Sequence, residues 1–136
     1  MVFKMAMTLE QARQAIITRM QGFTGIDQER IQYPNAPNFN APQKGLWCRL
    51  TIAGGSSFIS GIADQPCTRR TGNIIIQCFD RLHSGEKNIT ELSEALLNHF
   101  EYYNADHLEC LQGQSINVGR DNDFIQFNIS ISYSVN

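Results

Sequence analysis

A chain of 136 residues fits a single domain, residues 1–136, and folding at this size buries roughly 65–70% of the extended chain's surface, enough for one ordinary core. A formal net charge of −2, with only 18% charged residues, excludes the broad positive field that drives binding to nucleic acids or anionic membranes. The four cysteines, Cys48, Cys67, Cys78 and Cys110, are irregularly spaced with no C-x-x-C pair, which argues against a zinc knuckle or a redox dithiol.

In chain order, Thr8 and Gln11 have the spacing of a capping box, and Leu9, Ala12, Ile16, Ile17 and Met20 then recur at helical spacing. The first helix is expected over residues 9–21, ending at Gly22. From residue 24 to 45 periodicity disappears. Pro34, Pro37 and Pro42, interleaved with Asn35, Asn38 and Asn40, favour an extended, turn-rich path, and a connection that long inside a compact domain tends to be functional. Residues 46–52 alternate, with Leu46, Cys48, Leu50 and Ile52 set against Trp47, Arg49 and Thr51, and predict a strand. Gly54-Gly55-Ser56-Ser57 is expected to break it as a turn, leaving residues 58–71 as an irregular second strand or projecting arm.

Residues 73–80 are apolar on both faces, the mark of a central strand. Ile89, Leu92, Leu96, Phe100 and Tyr103 form a second helical stripe. A short strand follows at residues 115–118, then a turn, then the longest alternation in the chain: Ile125, Phe127, Ile129, Ile131, Tyr133 and Val135 against Gln126, Asn128, Ser130, Ser132 and Ser134. The expected class is α+β, a mixed, mainly antiparallel sheet with both helices on its apolar face. The opposite face of the last strand is polar yet uncharged. No run approaches the ~20 apolar residues of a membrane span, and Met1–Met7 does not read as a signal peptide, so the cytosol is the expected compartment.

Candidate chemistry is sparse. His83, His99 and His107 show no ligand-like spacing, and no HExxH pattern accompanies them. Asp121-Asn122-Asp123 lacks the glycine and bidentate glutamate of a calcium loop and reads as a hairpin turn. Gly54-Gly55 is not followed by the Lys-Ser or Lys-Thr of a phosphate cradle. No catalytic, cofactor or metal residue is therefore expected. Interface residues are sought instead in the two irregular segments: Tyr33 and Phe39 in the first, Phe58, Ile59 and Ile62 in the second, and the basic doublet Arg69-Arg70, able to meet a neighbour's carboxylates or a phosphate.

Trp47-Cys48-Arg49-Leu50-Thr51-Ile52, then Arg70-Thr71-Gly72-Asn73-Ile74-Ile75-Ile76-Gln77-Cys78-Phe79, an amphipathic helix, and a hairpin ending in Phe124-Ile125-Gln126-Phe127-Asn128-Ile129-Ser130-Ile131 together resemble the small tail terminator and tail completion proteins of long-tailed bacteriophages. The likeness runs from about Thr8 to the C-terminus and rests on structural, not catalytic, marks. It implies a ring, commonly a hexamer, at the head-proximal end of the tail tube, which stops tube polymerisation and helps join the head. Its implied partners are further copies of the chain, the tail tube protein and the head-tail connector protein, with DNA passing through the ring unbound. A head-tail connector subunit is the alternative within this class. A nucleic-acid-binding module lacks its basic stripe, and an enzyme would need a convergent polar pocket.

Overall fold

The computed structural model describes residues 8–34, 39–40, 42, 45–59, 68–82, 85–121 and 124–135, with the side chains of 55–59, 68–69 and 121 outside that description. Helix α1 spans Leu9–Gln21. It starts as its sequence dictates: the Thr8 hydroxyl accepts from the Gln11 backbone N–H while the Gln11 side chain accepts from that of Thr8, satisfying two otherwise orphaned donors. After a 3₁₀ turn at Gln28–Arg30 come β1 at Ile31–Gln32, β2 at Trp47–Ile59 and β3 at Thr68–Arg81. Helix α2 occupies Lys87–Phe100. β4 at Asn104–Ala105, β5 at Leu108–Asp121 and β6 at Phe124–Val135 complete the chain.

The strands form one six-stranded sheet in the order β1-β2-β3-β6-β5-β4. Only the β1–β2 pair is parallel; every other neighbour is antiparallel. β3 and β6 hold the centre, as the two-sided apolar run of residues 73–80 predicts. The fold is α+β, a mixed and mostly antiparallel sheet, as expected.

Two strand expectations need correction. Gly54-Gly55-Ser56-Ser57 is not a turn: β2 continues through it to Ile59, absorbing the irregularity as a register shift between Gly54 and Ser57. Glycine permits that shift, and the ladder with β3 resumes beyond it. Likewise β5 is not a four-residue strand at 115–118 but runs fourteen residues, because β6 supplies a template along its whole length. Its two register shifts, at 110/113 and 117/119, break the alternation that would have revealed it.

Period two splits the sheet into unlike faces. Cys48, Leu50, Ile74, Ile76, Cys78, Phe127, Ile129, Ile131 and Tyr133 share one buried core with Ala12, Ile16 and Met20 of α1 and with Ile89, Leu92, Leu96 and Phe100 of α2. Each fully buried Leu or Ile there contributes about 1.5–3 kcal/mol. The helix ends are tied together: the Arg19 guanidinium donates to the His99 carbonyl through Nε and Nη2 at 3.0 and 2.7 Å, and the His99 ring Nε2 meets the Arg19 carbonyl at 2.6 Å. Two glycines admit close approach. A Cβ on Gly113 would stand 2.8 Å from both Leu97 Cδ2 and Ile131 Cγ1, and one on Gly72 would stand 2.4 Å from the Ala53 carbonyl.

Candidate assembly surface

The sheet face turned away from the core is built by register. Thr51, Ile75 and Ser130 stand in one row with Gln114; Arg49, Gln77 and Asn128 stand in the next with Ile116; Ala53, Asn73 and Ser132 lie above. From the Ala53 row down to the Trp47 row, Arg49 is the one charged side chain on this face among the described residues. Its guanidinium is engaged by carboxamides, Nε donating to Gln32 Oε1 at 2.9 Å and Nη1 to Gln77 Oε1 at 3.3 Å. The other polar groups bond along the face: Gln126 Nε2 donates to Asn128 Oδ1 at 2.8 Å, and the Ser132 hydroxyl to Asn73 Oδ1 at 3.3 Å. A depression of about 650 Å³ opens there, lined by Asn73, Leu111, Gln112, Gly113, Gln114, Ser130 and Ser132. No lining residue is titratable. The surface offers neutral donors and acceptors, suited to water or to gliding contact with a charged polymer and not to tight ion pairing.

At the lower end of this face lies a feature that alternation alone misassigns. Trp47, expected on the polar side, is on that side and yet buried. Its ring stacks on Phe79 at 4.2 Å and 16° and meets Phe124 edge-on at 6.0 Å. Phe39 covers it at 5.6 Å. Arg81 lies over Phe124 at 4.6 Å, a cation–π contact. The cost is an indole Nε1 buried without a hydrogen-bond partner among the described residues. Read together, Trp47, Phe79 and Phe124 carried the signal: large aromatics on the nominally polar side of three paired strands.

Of the sequence-predicted interface residues, the side chains of Tyr33, Phe39 and Arg70 are among the described ones. Tyr33 packs against the core and its hydroxyl donates to Gln28 Oε1. Phe39 packs on Trp47 at 5.6 Å, so both aromatics of the first irregular segment make contacts within the chain. Phe58 and Ile59 sit in the β2–β3 ladder opposite Arg69 and Thr68; the side chains of Phe58, Ile59 and Arg69 lie outside the described residues, as does all of Ile62. Arg70 is exposed, opposite Ser57 and Val135.

Among the described residues no group of three His, Cys, Asp or Glu is placed to hold a metal. His83 lies outside them. His99 is held below the usual imidazole range, chiefly by burial, and His107 Nε2 is buried without a hydrogen-bond partner among the described residues. Burial pushes the Cys48 thiol up to about 12 and that of Cys110 up to about 11, and it raises Cys78 well above its ordinary value, so these three are weak nucleophiles. No described helix is long and apolar enough to cross a membrane.

No family model matches the chain, and no curated protein matches it. Among solved structures, one protein whose name states no function is similar over 96% of each chain, with a TM-score of 0.72 and 15% identity. At that identity the likeness shows a shared fold and nothing of function.

Proposed function

We propose that this chain is a structural subunit of a long-tailed phage or prophage, a tail terminator or completion protein. It forms a ring, of six copies on the family pattern, at the head-proximal end of the tail tube. There it stops tube growth and presents a face to the head-tail connector.

The observation that carries this reading is the neutral sheet face. A strand surface of Thr51, Asn73, Gln77, Gln114, Asn128, Ser130 and Ser132, with its single arginine already bonded to carboxamides, suits the wall of a bore that DNA traverses without adhering. A lysine-rich wall would hold the polyanion through counterion release. Six copies at −2 each carry twelve net negative charges, which further disfavours adhesion. The resemblance of residues 47–52, 70–79 and 124–131 to the terminator family supports the same assignment.

Virions form at assembly sites in the bacterial cytoplasm, and in the finished particle the protein belongs to the tail. Immunogold labelling of purified virions with antibody to this chain tests the placement. Gold at the junction of head and tail is expected; gold along the shaft or over the capsid would contradict the reading.

A further inference from the structure

We propose that Cys48 and Cys78 are a latent dithiol, which a small peroxide oxidises to a cross-strand disulfide tying β2 to β3. The site is independent of the ring reading, since it rests on the register of one ladder and on the side chain that α2 lays against it.

No C-x-x-C spacing announces the pair, because its members are far apart in sequence and meet only through the sheet. β2 and β3 run antiparallel with Cys48 directly opposite Cys78. Directly opposed residues share a face, here the core face, where both side chains are fully buried. Opposed Cα atoms stand about 4.5 or about 5.5 Å apart according to the hydrogen bonding of the pair, and both spacings fall within the roughly 4.4–6.8 Å that a disulfide spans. Opposed Cβ atoms, at about 4.5–5.5 Å, must come within about 4.5 Å, so closing draws the strands together by up to about 1 Å. The other described cysteine has no such partner. Cys110 is opposite Tyr133, which lies about 20 Å along β6 from Phe127, the residue opposite Cys78.

A polar group stands beside the pair where packing alone would ask for none. The buried residues of α2 are Ile89, Leu92, Leu96 and Phe100 with Ser93 as the one polar member. The Ser93 hydroxyl donates to the Ile89 carbonyl at 2.9 Å and is hydrogen-bonded to the Cys78 sulfur. A hydroxyl has one proton to donate and two lone pairs to offer. With its proton on Ile89, it accepts from the Cys78 thiol. When that sulfur gives up its proton, the hydroxyl can turn and donate to the thiolate. Cys78 therefore has a proton acceptor and a thiolate donor in one neighbour, which suits it to the second step of disulfide formation.

In the first step the Cys48 thiolate attacks one oxygen of hydrogen peroxide. The O–O bond breaks, hydroxide leaves and takes up the proton that Cys48 released, and Cys48 becomes a sulfenic acid. In the second, the Cys78 sulfur attacks the Cys48 sulfur and the S–O bond breaks. The departing hydroxide takes the Cys78 proton through Ser93. Two thiols have lost two protons and two electrons, and one peroxide has become two waters. Burial raises both thiols, so the first step is slow. Burial also selects the oxidant: a neutral molecule about the size of water can enter by small fluctuations, whereas a bulky disulfide cannot reach these sulfurs for exchange. For a subunit assembled in a reducing cytoplasm and released with the particle, as proposed above, the pair stays open during assembly and closes afterwards.

Treating the folded, reduced wild-type chain with hydrogen peroxide tests the site. Peptide mapping after the quench should find Cys48 joined to Cys78 and Cys110 unlinked. The oxidised chain should melt about 5–10 °C above the reduced one, and dithiothreitol should reverse both changes. Cys48→Ala and Cys78→Ala should each abolish the link and the gain in Tm. Ser93→Ala should delay closing and let the Cys48 sulfenic acid accumulate, where dimedone traps it; a merely structural serine would leave that adduct no more abundant than in the wild type. Folded wild-type chains that carry these thiols on to sulfinic acid without joining them, or that join them only in urea, would overturn the proposal, and this comparison needs no variant to fold. Ser93→Ala that closes at the wild-type rate with no added dimedone adduct would overturn the part given to Ser93.

Discussion

Gly72→Ala places a single methyl where the base of the β2–β3 ribbon is tightest. A Cβ at this position would meet the Ala53 carbonyl oxygen at 2.4 Å and the Tyr133 hydroxyl and ring at 2.5 and 2.6 Å. Gly72 pairs with Tyr133 across the β3–β6 ladder, so the tyrosine ring lies over the bare glycine and seals that part of the core. Glycine's φ here is not in the left-handed region, so without crowding alanine would stabilise by about 0.4–1 kcal/mol through the unfolded chain. Overpacking against a backbone oxygen and a buried ring costs about 1–3 kcal/mol and should win. For a domain of this size that lowers Tm by about 3–12 °C. Urea unfolding of wild type, Gly72→Ala, Tyr133→Ala and the double variant supplies the assay. The double variant should lose less than the sum of the single losses, with a coupling of about 0.5–3 kcal/mol, because removing the ring relieves part of the clash. Gly72→Ala melting at or above the wild-type temperature would refute the reasoning.

Ile76→Ala, at a fully buried central position, should cost about 2–5 kcal/mol and Phe127→Ala about 3–5; near-wild-type melting of both would show that the core is placed wrongly. The thiols of Cys48, Cys78 and Cys110 should resist alkylation at pH 8 in the native chain and react in urea, and peptide mapping that finds any of them modified quickly in the native state would contradict their burial. Because burial depresses the folded pKa of His99, its share of stability is present at neutral pH and is lost as pH falls below about 6.5, where the unfolded imidazole takes up a proton that the folded one refuses. The slope of Tm between pH 7 and pH 5.5 should therefore flatten in His99→Gln, and an unchanged slope would remove this residue from the account. On the ring proposal, Ser130→Lys with Ser132→Lys should spare folding and ring closure but slow DNA ejection; unchanged ejection with both lysines confirmed on the inner wall would defeat the charge argument.

The regular elements were readable because their chemistry is local. Thr8 and Gln11 announce the start of α1, and Ile74, Ile75 and Ile76 announce a strand covered on both sides. β5 was hidden for a physical reason: its pairing comes from β6, its own alternation is interrupted at two bulges, and Gln112, Gly113, Gln114 and Ser115 carry no apolar signal. Gly54-Gly55-Ser56-Ser57 misled in the opposite direction, since turn composition there serves an irregularity in a ladder and not a reversal. The neutral face was legible in Asn128, Ser130 and Ser132, but its extent required the register that sets them beside Asn73, Gln77 and Gln114. Tyr33 and Phe39 illustrate the limit of composition, for an aromatic in a proline-rich segment signals burial without saying against what. Here the partners are the core and Trp47 of the same chain.

Tail length in the absence of this protein tests the central claim most directly. On the terminator proposal, deleting the gene for this chain and measuring tails in the resulting lysate by electron microscopy should reveal overlong tails without heads, because nothing would then halt tube growth. Tails of normal length beside DNA-filled, unjoined heads would contradict the terminator reading and assign the chain to the connector instead.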